Sequence, residues 1–227
     1  MQAPISVIIP TLNVSGDLTG CIKALAEGQA AGLIREIIVT DGGSTDRTCV
    51  IARDLGAHIV TGPPSRGGQL RRGVAAAQGP WLLVLHADSI LAPGWSGPVA
   101  EHIAQGQGAG WFRLTFRARG LAPSVVGAWA NLRARMFALP YGDQGLLLSL
   151  ADYDLAGGYP DQRLMEDVAL VRALSCPLVR LNATITTSAV RYLSDGWLRR
   201  GAGNIWTLIR YLSGVCPESL ADRYQRK

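Results

Sequence analysis

Four apolar, β-branched runs in the first 92 residues, each followed by a stretch of helical periodicity or a turn, constrain this chain more than any other feature. ISVIIP (5–10), REIIVTD (35–41), AHIVTG (57–62) and WLLVLHADS (81–89) read as strands by length and composition. Between them Leu18, Cys21, Ile22 and Leu25 recur at helical spacing behind Ser15 or Asp17 as N-cap. Thr48, Ile51, Ala52 and Leu55 do so behind Ser44 or Thr45, and QLRRGVAAA (69–77) reads as a third helix. Strand–helix alternation with short connections predicts a doubly wound parallel sheet with right-handed crossovers. The fourth run does not alternate, so it is expected to be covered on both faces. The fold class is α/β, with a Rossmann-like, mostly parallel central sheet flanked by helices.

The second half breaks this rhythm. AGWFRLTF (109–116) and QGLLLSL (144–150) read as strands, and residues 178–193 as extended. Residues 121–139 place Val125, Trp129, Leu132 and Met136 on one helical stripe that Pro140 ends. A short helix stops at Gly157-Gly158, MEDVALVRAL (165–174) is helical, and Trp197–Leu212 forms a basic amphipathic helix. The economical organisation is one domain over residues 1–227, with two unequal halves (1–92 and 93–195) and a helical tail (196–227).

At 48% hydrophobic and 17% charged residues, the composition excludes disorder. The net charge of +5 is carried almost wholly by arginine, since Lys23 and Lys227 are the two lysines. No acidic residue lies between Glu101 and Asp143, where Arg113, Arg117, Arg119, Arg133 and Arg135 fall. Such patches suit an anionic ligand or an anionic membrane surface, and equally a solvated helix face. Cys21, Cys49, Cys176 and Cys216 form no CxxC pair and are expected to be reduced and mostly buried. No signal peptide is visible, and no apolar run approaches the roughly 18 residues of a membrane helix. A cytoplasmic protein is expected, in which the tail packs on the core or on another subunit, or lies at the inner face of the membrane. No nucleic-acid partner is expected.

The chemistry gathers at strand ends. The first strand ends in Pro10-Thr11-Leu12-Asn13, the second in Asp41-Gly42-Gly43-Ser44, and the fourth in His86-Ala87-Asp88. In a parallel sheet these C-terminal ends share one crevice, where open α/β sheets bind ligands. Asp41 can accept hydrogen bonds from a base or ribose, and Gly43 lets the backbone approach a ligand. Neither GxGxxG nor GxxxxGK[ST] is present, which leaves a nucleotide with one ribose and a diphosphate. Arg66-Gly67-Gly68-Gln69 opens a helix and is either a phosphate site or a structural loop. Asp88 is placed to hold Mg²⁺ or Mn²⁺ on a diphosphate, while His86 ligates or packs.

SVIIPTLN, EIIVTDGGSTDRT, RGGQLRRG, LLVLHADS, GDQGLLLS and LAGGYPDQRLMEDVAL, in this order over about residues 4 to 195, resemble glycosyltransferase family 2 with its GT-A fold. The similarity is to a compact bacterial branch that has HAD where many relatives have two aspartates spaced by one residue. The resemblance implies an inverting, metal-dependent transfer of sugar from a nucleoside-diphosphate sugar to an acceptor hydroxyl. It implies a nucleotide site at Pro10, Thr11, Asn13, Asp41, Gly43, Arg66, Gln69 and Ala87, and a Mn²⁺ or Mg²⁺ ligand at Asp88. Asp167 matches the general base with Glu166 beside it, and Gly142, Asp143 and Gln144 match the segment near acceptor and donor sugar. The Gln-x-x-Arg-Trp motif of processive relatives is absent, so polymer synthesis is not expected. From the residues alone, a sugar-1-phosphate nucleotidyltransferase and a non-catalytic nucleotide-binding protein stay open as alternatives.

Overall fold

The computed structural model of the protein describes residues 3–106 and 108–225; of the expected tail, 226 and 227 lie outside the described residues. The first half runs β1 (Ile5–Thr11), α1 (Ser15–Ala24), α2 (Ala26–Ala30), β2 (Ile34–Asp41), α3 (Thr48–Asp54), β3 (His58–Thr61), α4 (Arg66–Ala76) and β4 (Trp81–Val84). The second runs β5 (Ile90–Leu91), α5 (Ser96–Gln105), β6 (Ala109–Phe116), α6 (Leu121–Phe137), a 3₁₀ turn (Gly142–Gln144), β7 (Leu146–Ser149) and α7 (Leu150–Leu155). It continues through α8 (Glu166–Ala173), β8 (Leu178–Thr187), α9 (Val190–Asp195), α10 (Trp197–Leu212) and α11 (Pro217–Gln225).

The strands form one sheet in the order β3-β2-β1-β4-β7-β6-β8-β5. β1 pairs in parallel with β2 and β4, and β2 with β3, as the alternating pattern predicts. β7 inserts antiparallel between β4 and β6, and β5 lies antiparallel on β8, while β6 and β8 are parallel. Side chains leave the strands alternately to two cores. Ile5, Val7, Ile9, Val39 and Leu83 face α1, α3 and α5 on one side, and Ile8, Leu82 and Val84 face α4, α7 and α8 on the other. Burial on both faces explains the unbroken apolar runs.

Several local expectations are corrected. Ser15 and Asp17 lie inside the first turn of α1, whose N-cap is Val14 without a side-chain bond. Helix α3 begins at Thr48 behind Arg47, because Ser44 and Thr45 bond across to β1's end instead of capping. The fourth strand stops at Val84, and His86-Ala87-Asp88 form a turn that Ser89 N closes onto His86 O at 3.0 Å. The strand expected at 144–150 starts at Leu146, since Gly142–Gln144 wind into the 3₁₀ turn. The extended reading of 178–193 fails after Thr187. There α9 folds Tyr192 back edge-on to Phe116 at 5.0 Å and stacked on Trp197 at 4.8 Å. All four cysteines are free, yet only Cys21 is buried and Cys216 is exposed. No residue of the tail helix α10 is fully buried, but Trp197 at its start packs against the core beside Phe116. No helix among the described residues is long and apolar enough to cross a membrane.

Candidate active site

The parallel register brings the ends of β1 and β2 side by side, with Thr11 opposite Asp41. Asp41, 2% exposed, builds the loop that follows it. Its Oδ1 accepts from the Thr11 and Ser44 hydroxyls, and its Oδ2 accepts from Gly43 N at 2.8 Å and Ser44 N at 2.7 Å. Burial alone would raise this carboxyl, but the bonds from Ser44, Gly43 and Thr11 outweigh it and hold Asp41 below the usual range. Gly43 sits at φ 94°, open to a residue without Cβ. Asn13, also left-handed at φ 53°, bridges the two loops: its Oδ1 accepts from Thr45 N at 2.8 Å and its N–H donates to Ser44 Oγ. Pro10, in β1, is half-buried next to Thr11. Gln69, read as a ligand contact, is 5% exposed and donates through Nε2 to Thr11 O at 2.8 Å and Thr40 O at 2.7 Å. It clamps the two strand ends together from α4.

Past β4, Ala87 is buried at 5% exposure and Asp88 is half-buried at the rim. Burial and then Asp17 raise the Asp88 carboxyl, with Arg66 and Arg117 pulling it back. Arg117, at the end of β6, donates to both Asp88 O at 3.0 Å and Asp17 Oδ1 at 2.6 Å. His86 turns the other way. A Cβ on Gly142 would lie 2.3 Å from its Nε2, so the ring packs directly beneath that glycine. Burial, then Arg66 and Arg191, hold the imidazole well below its ordinary range, so it is neutral.

The glycine pair at the start of α4 serves packing. Ser65 caps the helix, Gly67 N donates to Gln162 O at 3.0 Å, and a Cβ on Gly67 would overlap Pro160 O at 1.9 Å. The glycines of this turn thus have a structural role, and Arg66 projects from it beside the acidic groups. The 160–162 segment covers the helix N-terminus and fixes the entry into α8, whose first residues are Glu166 and Asp167. Arg66 crosses to Glu166, with Nε 3.7 Å from Oε1. Glu166 is 1% exposed and its Oε2 is buried without a hydrogen-bond partner. Burial pushes its carboxyl up to about 7, opposed by Arg66 and reinforced by Asp167.

Asp167 Oδ2 accepts from Gly142 N at 2.6 Å, which fastens the 3₁₀ turn to α8. The neighbouring Asp143 keeps a buried Oδ1 with no hydrogen-bond partner. Burial pushes Asp143 up to about 6; Arg133 opposes this, and Asp167 and Asp88 add to it. Gln144 is fully buried and faces inward. Its Oε1 accepts from Arg133 at 3.1 Å and Tyr141 N at 3.3 Å, and its Nε2 lies 3.4 Å from Asn131 Oδ1.

Asp88, Asp143, Glu166 and Asp167 therefore converge at the C-terminal edge of β4. Arg66 is the cation that acts on His86, Asp88, Asp143 and Glu166 alike. Asp41 and Asn13 form the adjoining β1–β2 loops, whereas Gln69 and Gln144 are internal braces. Sequence reasoning took Asp17 as a cap, named Arg117 only among the arginines of the acid-free stretch and the 160–162 loop only within a longer motif, and passed over Tyr141. Among the described residues no group of three or more His, Cys, Asp or Glu forms a metal cage. The donors at Asp88 and Asp17 are carboxylates alone, and a Mg²⁺ or Mn²⁺ ion that shares diphosphate and water oxygens needs no more. Burial first, and then the charge of Asp17, raise the Asp88 carboxyl, and a cation would offset both, so these residues fit the ion.

A mixed, mostly parallel α/β sheet with a carboxylate-lined crevice at the C-terminal ends of its strands has its cleft where open α/β folds bind ligands. The family model of glycosyl transferase family 2 matches residues 6–120, just over half the chain, and the chain belongs to that family. Over 99 residues it is 41% identical to a PGL/p-HBAD biosynthesis glycosyltransferase of Mycobacterium bovis, covering 40% of this chain and 38% of that protein. The chain thus spans less than two fifths of that relative's length. A longer match, 29% over 184 residues, covers 73% of this chain and 79% of an uncharacterized glycosyltransferase of Mycobacterium tuberculosis. Among solved structures, glucosyl-3-phosphoglycerate synthase from M. tuberculosis in complex with Mn²⁺, UDP and phosphoglyceric acid superposes with a TM-score of 0.59 at 19% identity, over 94% of this chain and 80% of that one. S. aureus TarS gives 0.61 at 14% identity, over 96% of this chain and 41% of that one. At these identities the likeness is one of fold, and the fold is the GT-A α/β architecture.

Proposed function

We propose that the protein is an inverting glycosyltransferase that moves a sugar from a nucleoside-diphosphate sugar to an acceptor hydroxyl, with Mn²⁺ or Mg²⁺ held at Asp88. The observation that carries this reading is the convergence of Asp88, Asp143 and Asp167 beside the β1–β2 loops, with Arg66 among them. Family membership supports this reading over the nucleotidyltransferase and non-catalytic ones. The halves 1–92 and 93–195 divide the labour between nucleotide and acceptor, and the tail 196–227 flanks the acceptor side.

Pro10, Thr11, Asn13 and Gly43 offer backbone and side-chain edges to the nucleoside, and Asp41 acts through the loop it shapes. Arg66 and the Ala87–Asp88 turn face the diphosphate. The bound cation supplies charge neutralisation for the departing diphosphate. Asp167, its Oδ2 anchored by Gly142 N, takes the proton from the acceptor hydroxyl as that oxygen attacks the anomeric carbon. The diphosphate leaves from the opposite face, so configuration inverts. Glu166, paired with Arg66, keeps that arginine on the diphosphate side. The acceptor is an amphiphile of the lipid-linked kind, met at the inner face of a membrane.

A thermal-shift panel of UDP, GDP and dTDP sugars with and without Mn²⁺ tests the donor site. One nucleotide series should stabilise the wild type in a metal-dependent way, and Asp88→Ala should lose the metal-dependent part. Equal stabilisation of the variant would refute the assignment of Asp88.

A further inference from the structure

A cavity of about 350 Å³ opens between α6 and α10 and runs inward to the 3₁₀ turn. Leu114, Phe116, Val126, Ala130, Leu208 and Ile209 are among its apolar walls. Its inner end carries Tyr141 and Asp143, with Arg133 stacked 3.4 Å over the Tyr141 ring. The volume falls within the range of small-molecule sites, which are apolar with a few polar groups that fix orientation. The buried Asp143 Oδ1 lacks a donor, and such an oxygen is costly unless a hydroxyl or N–H reaches it. Asp143 follows Gly142, whose N–H holds Asp167, so the cavity ends one residue from the proposed base.

We propose that this cavity is the acceptor subsite and takes the apolar body of a hydrophobic alcohol, whose hydroxyl donates its one hydrogen to Asp143 Oδ1 when the alcohol binds alone and turns it to Asp167 once the donor sugar is in place. This inference rests on the functional reading above. A flat membrane or a second copy of the chain would cover the lips formed by Trp129 and Ile205 but could not reach Asp143. A slender alcohol satisfies both ends, filling the apolar walls and supplying the missing donor.

Gly201 on α10 lines the cavity, and a Cβ there meets nothing within 4 Å. Gly201→Phe therefore fills the cavity, while replacing a helical glycine favours the helix. Gly203→Phe is the control: the space around its Cβ is also open, on the same helix, and it does not line the cavity. Tryptophan fluorescence titrations with decan-1-ol and 4-hexylphenol, without nucleotide or metal, read binding directly, because Trp129 lies in the wall. Saturable binding is expected for wild type and Gly203→Phe, weakened about tenfold or more by Gly201→Phe. Preference for decanol assigns an alkyl body, and preference for hexylphenol an aryl one. No saturable binding, or equal binding by both variants, would overturn the subsite. A failure of sugar transfer with alcohol binding and its Gly201 dependence intact would strike the functional reading alone.

Discussion

Glu166 is the residue whose setting departs furthest from that of a surface carboxylate. It is almost wholly buried, has one oxygen unpaired, and is raised from an ordinary 4.5 to about 7. A carboxyl raised by folding binds its proton more tightly in the folded state, so its contribution to stability is complete below pH 4.5 and is lost as pH rises through about 7. Asp143 adds the same sign between 3.8 and about 6. These two groups pull the melting temperature down across this window, against the opposite pull of neutral His86 below pH 6.5, and Glu166→Gln should remove the downward part near pH 7 in pH-dependent thermal melts. An unchanged profile would show that Arg66 keeps Glu166 ionised throughout. Asp167→Asn keeps the hydrogen-bonding shape at Gly142 but removes the proposed base. It should leave donor stabilisation intact and lower kcat by about 10² to 10⁴, read in a sugar-transfer assay.

At the scale of elements, the contact between α4 and the 160–162 loop sets where Glu166 and Asp167 sit. Gly67→Ala would place a methyl on the backbone oxygen of Pro160, which cannot rotate away, whereas Gly68→Ala meets the Asp161 side chain, which can. Denaturant melts should show Gly67→Ala costing about 1–3 kcal/mol, Gly68→Ala clearly less, and only the former lowering turnover at saturating donor. The strand ends were legible in the sequence because a carboxylate straight after a β-branched run has few structural reasons to be there. Gln69 and Gln144 were not legible as braces. Their partners Thr11, Thr40, Asn131 and Arg133 lie 11 to 58 residues away, and sequence shows an amide near a motif without showing which way it faces. Likewise the α6 stripe of Val125, Trp129, Leu132 and Met136 has core periodicity but is 55%, 42%, 45% and 66% exposed. Gly127, Ala130 and Ala134 face inward instead, because close approach to β6 admits only small residues. The antiparallel insertion of β7 was equally hidden, since strand order beyond a βαβ series depends on tertiary pairing.

Across the whole molecule, the apolar residues that α6 leaves outside join others on α9 and α10. Val190, Leu193, Leu198 and Trp206 are 68%, 65%, 86% and 62% exposed, a concentration that a solitary soluble surface rarely carries. Arg199 and Arg210 lie on the same tail helix, in a chain of net charge +5. Apolar residues beside arginine suit the headgroup boundary of an anionic bilayer, where burial and surface potential act together. The cavity mouth lies between these same helices, so a chain seated there could stay partly in lipid while its hydroxyl reaches Asp143. The protein should thus co-sediment with vesicles containing phosphatidylserine and much less with neutral ones. Raising ionic strength from about 0.1 M to about 1 M, which shortens the screening length from about 10 Å to about 3 Å, should weaken that binding. Leu198 and Trp206 do not line the cavity, so the double variant Leu198→Ser/Trp206→Ser should lose vesicle binding and keep alcohol binding. If it sediments with vesicles as the wild type does, this face does not meet the membrane, and the acceptor must reach the cavity from solution.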